Sequence, residues 1–316
     1  PYYIGEKRLI TLMMKMDADI VVMTMPDLEN YHIKRSYVKK DVEYVYVFHG
    51  LGSVHMVLRK GALDHYDTLL CVGPHQFEEI REIEKIYKLP MKNLVPCGYG
   101  VIEKQRKAFL NMQIKQNKRP QILIAPSWQK DNIMESCLDE LLRRLLVLPY
   151  DIILRPHPQY LRHKGNHLDK IKYTYNEYID RNLFIQEDFA DSASIYQSDI
   201  LITDWSTIAH EFSYVTLKPV VFINTPMKVM NTEYTKISLV PLDISLRNEI
   251  GVSLNIDKLD ELVPIIKDMC AQKNEYKEKI EKILLKYVYN FGHSGEAGAK
   301  YIIKSLMEKK HVNRMQ

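Results

Sequence analysis

Residues 45–55 read V-Y-V-F-H-G-L-G-S-V-H. The run 43–48 is continuously apolar at its heart rather than alternating, the pattern of a strand buried on both faces of a parallel sheet. It stops at His49-Gly50, where a glycine-rich turn begins. Such a turn uses glycine for backbone freedom, but it has no need of histidine. A histidine held at the end of a buried strand is a candidate reagent, because an imidazole of ordinary pKa, about 6.5, accepts a proton at neutral pH.

The same pattern recurs outward from this point. Strands are expected at 19–25, 43–48, 68–72, 94–98, 121–125, 151–154, 183–185, 200–203 and 219–223. Helical spacing separates them: Phe77, Ile80, Ile83 and Ile86 in 74–88, and Leu138, Leu141, Leu142 and Leu145 in 134–146. Alternation of this kind means α/β architecture with right-handed crossovers. It pauses over the basic stretch 103–120, which ends at Pro120 and marks a boundary between domains 1–110 and 111–316. The reading is two Rossmann-like parallel-sheet domains, with helices at 256–290 and 295–309 closing the second. The first domain counts one or two βα units too few, and the chain opens without methionine, so residues upstream of Pro1 are expected. A cleft facing the carboxyl ends of the strands is where such domains hold nucleotides.

Bulk properties narrow the classes. Over 316 residues, 46% hydrophobic and 27% charged content suits two globular cores. The net charge of +4 is too small for a nucleic-acid-binding protein. Cys71, Cys97, Cys137 and Cys270 lie far apart without a C-x-x-C pair, which reads as reduced thiols of a cytoplasmic protein. No apolar run reaches the ~18 residues of a membrane span. No signal-peptide pattern opens the chain. The segment Y-H-I-K-R-S-Y-V-K-K (31–40) is either a solvated face or a surface resting on anionic membrane.

Four polar clusters follow four of the strands. They are His49-Gly50-Leu51-Gly52-Ser53, then I-L-I-A-P-S-W-Q (122–129), then I-I-L-R-P-H-P (152–158), then S-D-I-L-I-T-D-W-S-T (198–207). Prolines 156 and 158 hold the backbone extended and present Arg155 and His157 rigidly. Asp204 closes a strand, and Ser206 or Thr207 is placed to cap the next helix. The shared theme is anion binding: helix N-termini, hydroxyl donors and an arginine fork all suit phosphate oxygens. Taken singly, each has a plainer account. Ser206-Thr207 is then an N-cap, Trp128 a core aromatic and 155–158 a stiff loop. His55, His65, His75, His163, His167 and His293 are read as packing or surface residues.

Taken together, in this order and spacing, H-G-L-G-S, I-L-I-A-P-S-W, L-R-P-H-P and S-D-I-L-I-T-D-W-S-T resemble the CDP-glycerol glycerophosphotransferase family of teichoic acid synthesis. The likeness spans roughly residues 43–225. It implies a GT-B glycosyltransferase-like fold. It also implies transfer of glycerol phosphate from CDP-glycerol to an undecaprenyl-diphosphate-linked acceptor at the cytoplasmic membrane face, with release of CMP. Gln129 stands where the family has Arg, Trp205-Ser206-Thr207 where it has Tyr-Ser-Ser, and G-Y-G-V-I-E (98–103) where it has G-Y-P-R-x-D. CDP-ribitol therefore stays open as the donor. So does the choice of primase or polymerase, the chain length favouring a primase.

Under this resemblance His49 is the expected general base, with His157 the next candidate. Gly50, Ser127, Trp128, Arg155, Asp204, Ser206 and Thr207 are the expected substrate-binding residues, with Arg155, His157, Ser206 and Thr207 on the diphosphate and Asp204 orienting them. No D-x-D or similar carboxylate pair lies in a suitable place, so metal independence is expected, with no cofactor. The partners implied are the donor, the lipid-linked acceptor and a membrane surface, not nucleic acid. A UDP-sugar transferase or epimerase, and a non-catalytic nucleotide-binding partner, are the alternatives.

Overall fold

A computed structural model describes residues 6–113, 119–189 and 192–315. Each of the nine expected runs contains a strand. In the first sheet β1 (Ile20–Met23), β2 (Glu43–Val47), β3 (Thr68–Cys71) and β4 (Asn93–Pro96) lie side by side in sequence order, all parallel. The second sheet holds β5 (Gln121–Ile124), β6 (Asp151–Leu154), β7 (Leu183–Ile185), β8 (Ile200–Thr203), β9 (Val220–Asn224) and β10 (Gly251–Asn255). Its order is β10-β9-β8-β5-β6-β7, again all parallel. β10 was not expected from the sequence. It is an edge strand of alternating content, with Ser253 and Asn255 between its apolar residues.

Burial explains why the central strands read so clearly. Ile122, Leu123 and Ile124 of β5 and Ile200, Leu201 and Ile202 of β8 are fully enclosed. The expected helix at 134–146 is broken at Cys137, whose φ of −150° is not helical. A short helix Ile133–Ser136 precedes it, capped by the Asn132 side chain, and Leu138–Leu145 follows. That second helix lays Leu138, Leu141, Leu142 and Leu145 into the core of the second unit. The basic stretch read as a strandless boundary overlaps the helix Gly100–Asn111, which buries Ile102 and Phe109 seven residues apart.

The division of the chain also differs from a single cut near residue 110. One unit comprises Pro1–Val101, Val229–Leu242 and Leu285–Gln316; the other comprises Ile102–Lys228 and Asp243–Leu284. The last segment belongs with the first sheet for visible reasons. Thr68 Oγ1 and Tyr301 Oη both donate to the Glu43 carboxylate, at 2.7 and 2.6 Å. Tyr289 N donates to Val72 O at 2.8 Å. At Gly73 an added Cβ would sit 1.8 Å from the carbonyl oxygen of Tyr287, so only glycine admits that backbone. Gly98 has φ +97°, and its Cβ would fall 2.1 Å from Tyr289 O.

Candidate active site

The second sheet reverses its winding between β5 and β8: the chain runs outward through β6 and β7, then returns to lay β8 against the other side of β5. In open parallel sheets the crevice at such a reversal is the ligand-binding position. Here Ser127 follows β5 and Asp204 follows β8, and they are joined. Asp204, 1% exposed, takes the Ser127 and Trp205 amides on Oδ1 at 2.8 and 2.7 Å, and the Ile133 amide on Oδ2 at 3.2 Å. The carboxylate thus knits three backbone segments. Ser127 Oγ is also buried and has no hydrogen-bond partner among the described residues.

Beneath this loop lies a residue the sequence reading passed over. Arg247 is buried, donates to Asp204 O at 2.9 Å and Asn224 Oδ1 at 2.8 Å, and lies 4.0 Å from the Trp205 ring centroid. Burial pushes its pKa down to about 10 against the pull of Asp204 and Asp243. Trp205 is fixed by its Nε1–H bond to Thr225 O, 2.8 Å. Ser206 is half-buried and Thr207 exposed. Thr207 holds the N-cap position of the helix Ile208–Thr216 without a side-chain cap bond. Its backbone is already helical (φ −62°, ψ −16°), not in the extended conformation that turns a hydroxyl back onto the first amides.

The loop after β6 presents Arg155 and His157. Arg155 donates to Ser194 Oγ at 3.3 Å, with its guanidinium 5.3 Å from the Phe189 ring centroid. His157 is the N-cap of the helix Pro158–Thr174, where its Nδ1 accepts the Gln159 amide at 3.1 Å. That bond uses the Nδ1 lone pair, so the neutral ring carries its proton on Nε2. Burial, then the nearby Lys228 charge, lowers the His157 pKa. Trp128 is not a core aromatic: it is 48% exposed, 6.1 Å from the His157 ring and tilted 35° to it.

In the first unit His49 is exposed just beyond β2, after a buried Phe48. Its carbonyl accepts from Tyr99 Oη at 3.1 Å, and its Nδ1 lies 3.3 Å from the hydroxyl of the enclosed Tyr46. The turn is stapled by the first residues of the helix Pro74–Tyr87: His75 Nε2 donates to Leu51 O at 3.1 Å and Gln76 Nε2 to Gly52 O at 3.4 Å. A Cβ on Gly50 would meet nothing within 4 Å, so packing does not demand glycine there. His55 and His75 are buried packing residues; His55 Nδ1 sits 3.0 Å from Glu79.

Two of the four Lys and Arg side chains of the basic stretch 31–40 are ion-paired inside its own unit. Arg35 pairs with both Asp67 oxygens and covers the Tyr44 ring, while Lys39 pairs with Asp19. Lys34 donates to the carbonyl of Glu29. Tyr31, Tyr37 and Val38 stay exposed. Among the described residues, no helix is long and apolar enough to cross a membrane, and no group of three or more His, Cys, Asp or Glu is placed to hold a metal ion.

Parallel sheets of Rossmann type, one of them reversing its strand order at a crevice lined with hydrogen-bond donors, define the α/β class to which GT-B glycosyltransferases belong. Solved structures agree on the fold. A variant of the wall teichoic acid polymerase TagF with CDPG superposes with a TM-score of 0.55 at 17% identity, over 93% of this chain and 73% of that one. A putative UDP-N-acetylglucosamine 2-epimerase from Listeria monocytogenes gives 0.55 at 12% identity, over 92% and 75%. A glycosyltransferase from Rickettsia africae gives 0.51 at 14% identity, over 95% and 80%. Comparison with curated proteins returned no match. The profile of the CDP-Glycerol:Poly(glycerophosphate) glycerophosphotransferase family matches residues 76–301, and the chain belongs to that family of enzymes.

Proposed function

We propose that this enzyme transfers glycerol phosphate, or a related polyol phosphate, from a CDP-linked donor to an undecaprenyl-diphosphate-linked acceptor in wall teichoic acid or capsule-like polymer synthesis. The observation carrying the donor assignment is the composition of the crevice at the β5–β8 reversal. His157 offers Nε2–H, Arg155 and Lys228 bring positive charge, Ser127 a hydroxyl without a partner among the described residues, and the Asp204 carboxylate is consumed by three amides. Such a lining suits a diphosphate and is poorly matched to a cation. His49 is the general base. With its Nδ1–H given to the Tyr46 hydroxyl, its Nε2 lone pair takes the proton from the acceptor hydroxyl. That oxygen bonds to the glycerol-bearing phosphorus, the bond from this phosphorus to the bridging oxygen breaks, and CMP leaves with the electron pair. His157, whose Nδ1 lone pair is engaged, serves as a donor to the diphosphate and not as the base. The membrane contact uses the exposed Tyr31, Tyr37 and Val38, more than the paired cations beside them.

Turnover decides it: CMP release with CDP-glycerol and CDP-ribitol, against UDP release with UDP-sugars, on a short lipid-linked acceptor. His49→Ala should lower kcat about 10²–10⁴-fold with donor affinity kept, because a base acts in the chemical step. Arg155→Ala should weaken donor binding as well as turnover. UDP release without CMP release would replace the donor, and full turnover by His49→Ala would remove the base.

A further inference from the structure

Lys228 ends N-T-P-M-K (224–228), the turn after β9, and nothing in the sequence singled it out. Its side chain folds back over the crevice, with Nζ 5.8 Å from the centroid of the Trp128 ring. The residue is half-buried, yet its ammonium makes no hydrogen bond or ion pair with the described residues. This is unusual for a lysine taken partly out of water, which ordinarily finds an acceptor. Two carboxylates, Asp204 and Asp243, act on it through space without bonding it, and Asp204 already holds three amides. The neighbour on the other side of Trp128's contacts is His157, which presents a second donor, Nε2–H. Turns after β5, β6 and β9 thus bring an indole, an imidazole N–H and an ammonium together, and what the arrangement lacks is an anion.

We infer that Lys228 is a phosphate-binding residue of the donor site, its ammonium accepting the charge of the CDP-donor diphosphate beside His157 and Trp128. The inference rests on the donor reading proposed above. Burial lowers the Lys228 pKa, while Asp204 and Asp243 pull it back up, so a bound diphosphate would be the stronger partner the site otherwise lacks. The cation also has a structural signature that a packing lysine does not. An unpaired, half-buried charge costs the free protein stability, and it is retained for what it binds.

The experiment is calorimetric titration of the full chain with CDP-glycerol, alongside thermal unfolding without ligand, for wild type, Lys228→Met and Lys228→Arg. Lys228→Met keeps the apolar stem and removes the charge. It should bind CDP-glycerol at least about tenfold more weakly, the usual worth of a charge-assisted phosphate contact. Lys228→Arg should stay within about threefold of wild type. Without ligand, Lys228→Met should unfold at or above the wild-type midpoint. Lys228→Met affinity within twofold of wild type would overturn the inference and leave the donor reading intact. Weaker binding accompanied by a lowered unfolding midpoint would also overturn it, making Lys228 a support of the loop. No CDP-glycerol binding by wild type would overturn the donor reading and this inference with it.

Discussion

Asp204→Asn tests whether the carboxylate at the strand reversal is a strut or a reagent. In the native loop one oxygen takes the Ser127 and Trp205 amides, and the other takes the Ile133 amide. Asparagine keeps a carbonyl oxygen for the first pair but turns an NH2 toward Ile133 N, donor against donor at 3.2 Å. One buried amide is orphaned, and two charge-assisted bonds become neutral ones. The loss is about 2–4 kcal/mol. For a folding unit of this size that lowers the unfolding midpoint by roughly 5–15 °C. Thermal unfolding followed by circular dichroism, run in parallel with CMP release, reads it. The expected result is a destabilised protein whose turnover, measured well below its midpoint, survives in part. An Asp204→Asn protein that melts with wild type yet releases no CMP would refute the reasoning, since the carboxylate would then act in the chemistry.

Gly73→Ala should cost about 3 kcal/mol, because its Cβ meets the Tyr287 carbonyl at 1.8 Å, and limited proteolysis should then release the C-terminal segment; an unchanged melt would break the assignment of that segment to the first sheet. His157 contributes stability while neutral. Its folded pKa is depressed by burial and Lys228, so the contribution is present above about pH 6.5 and is lost as pH falls toward the folded value. His157→Asn retains an N-cap acceptor and should flatten that acid loss in denaturant titrations at pH 7 and below, whereas an unaltered pH profile would remove His157 as its source. Tyr37→Ser together with Val38→Ser should weaken binding to anionic vesicles without altering the melt, while Arg35→Glu should lower the melt by setting a like charge against the part-exposed Asp67. Vesicle binding unaffected by the first pair would return that face to plain solvent.

The strands of this protein were legible because most are central. Residues such as Leu123 and Leu201 are enclosed from both sides, and enclosure is what produces an unbroken apolar run. β10 escaped because an edge strand with Ser253 and Asn255 carries no such run. The helix Gly100–Asn111 escaped because two buried residues at a spacing of seven are too sparse for a periodic signal. At the site, the residues on strand-end turns were visible as motifs. Their chemistry was not: that His157 spends its Nδ1 on a cap, or that Thr207 leaves its helix uncapped, depends on dihedral angles. Arg247 and Lys228 were invisible for a further reason. Nothing near them in sequence distinguishes them, and their meaning comes from Trp205 and Trp128, rings on other strands' turns.

The threading of the chain has a consequence for how the protein is made. The first sheet precedes the second along the chain, but Tyr289 and Tyr301, which seal its strands at Val72 and Glu43, are translated only after the whole of the second sheet. At a synthesis rate of about 5–20 residues per second, β1–β4 wait on the order of ten seconds or more with the segment that seals them still untranslated. The second sheet has every strand in hand by Asn255 and can close first. Birth order and folding order are therefore inverted, and a nascent chain arrested before residue 285 should resist protease across 121–255 while remaining cleavable across 20–96.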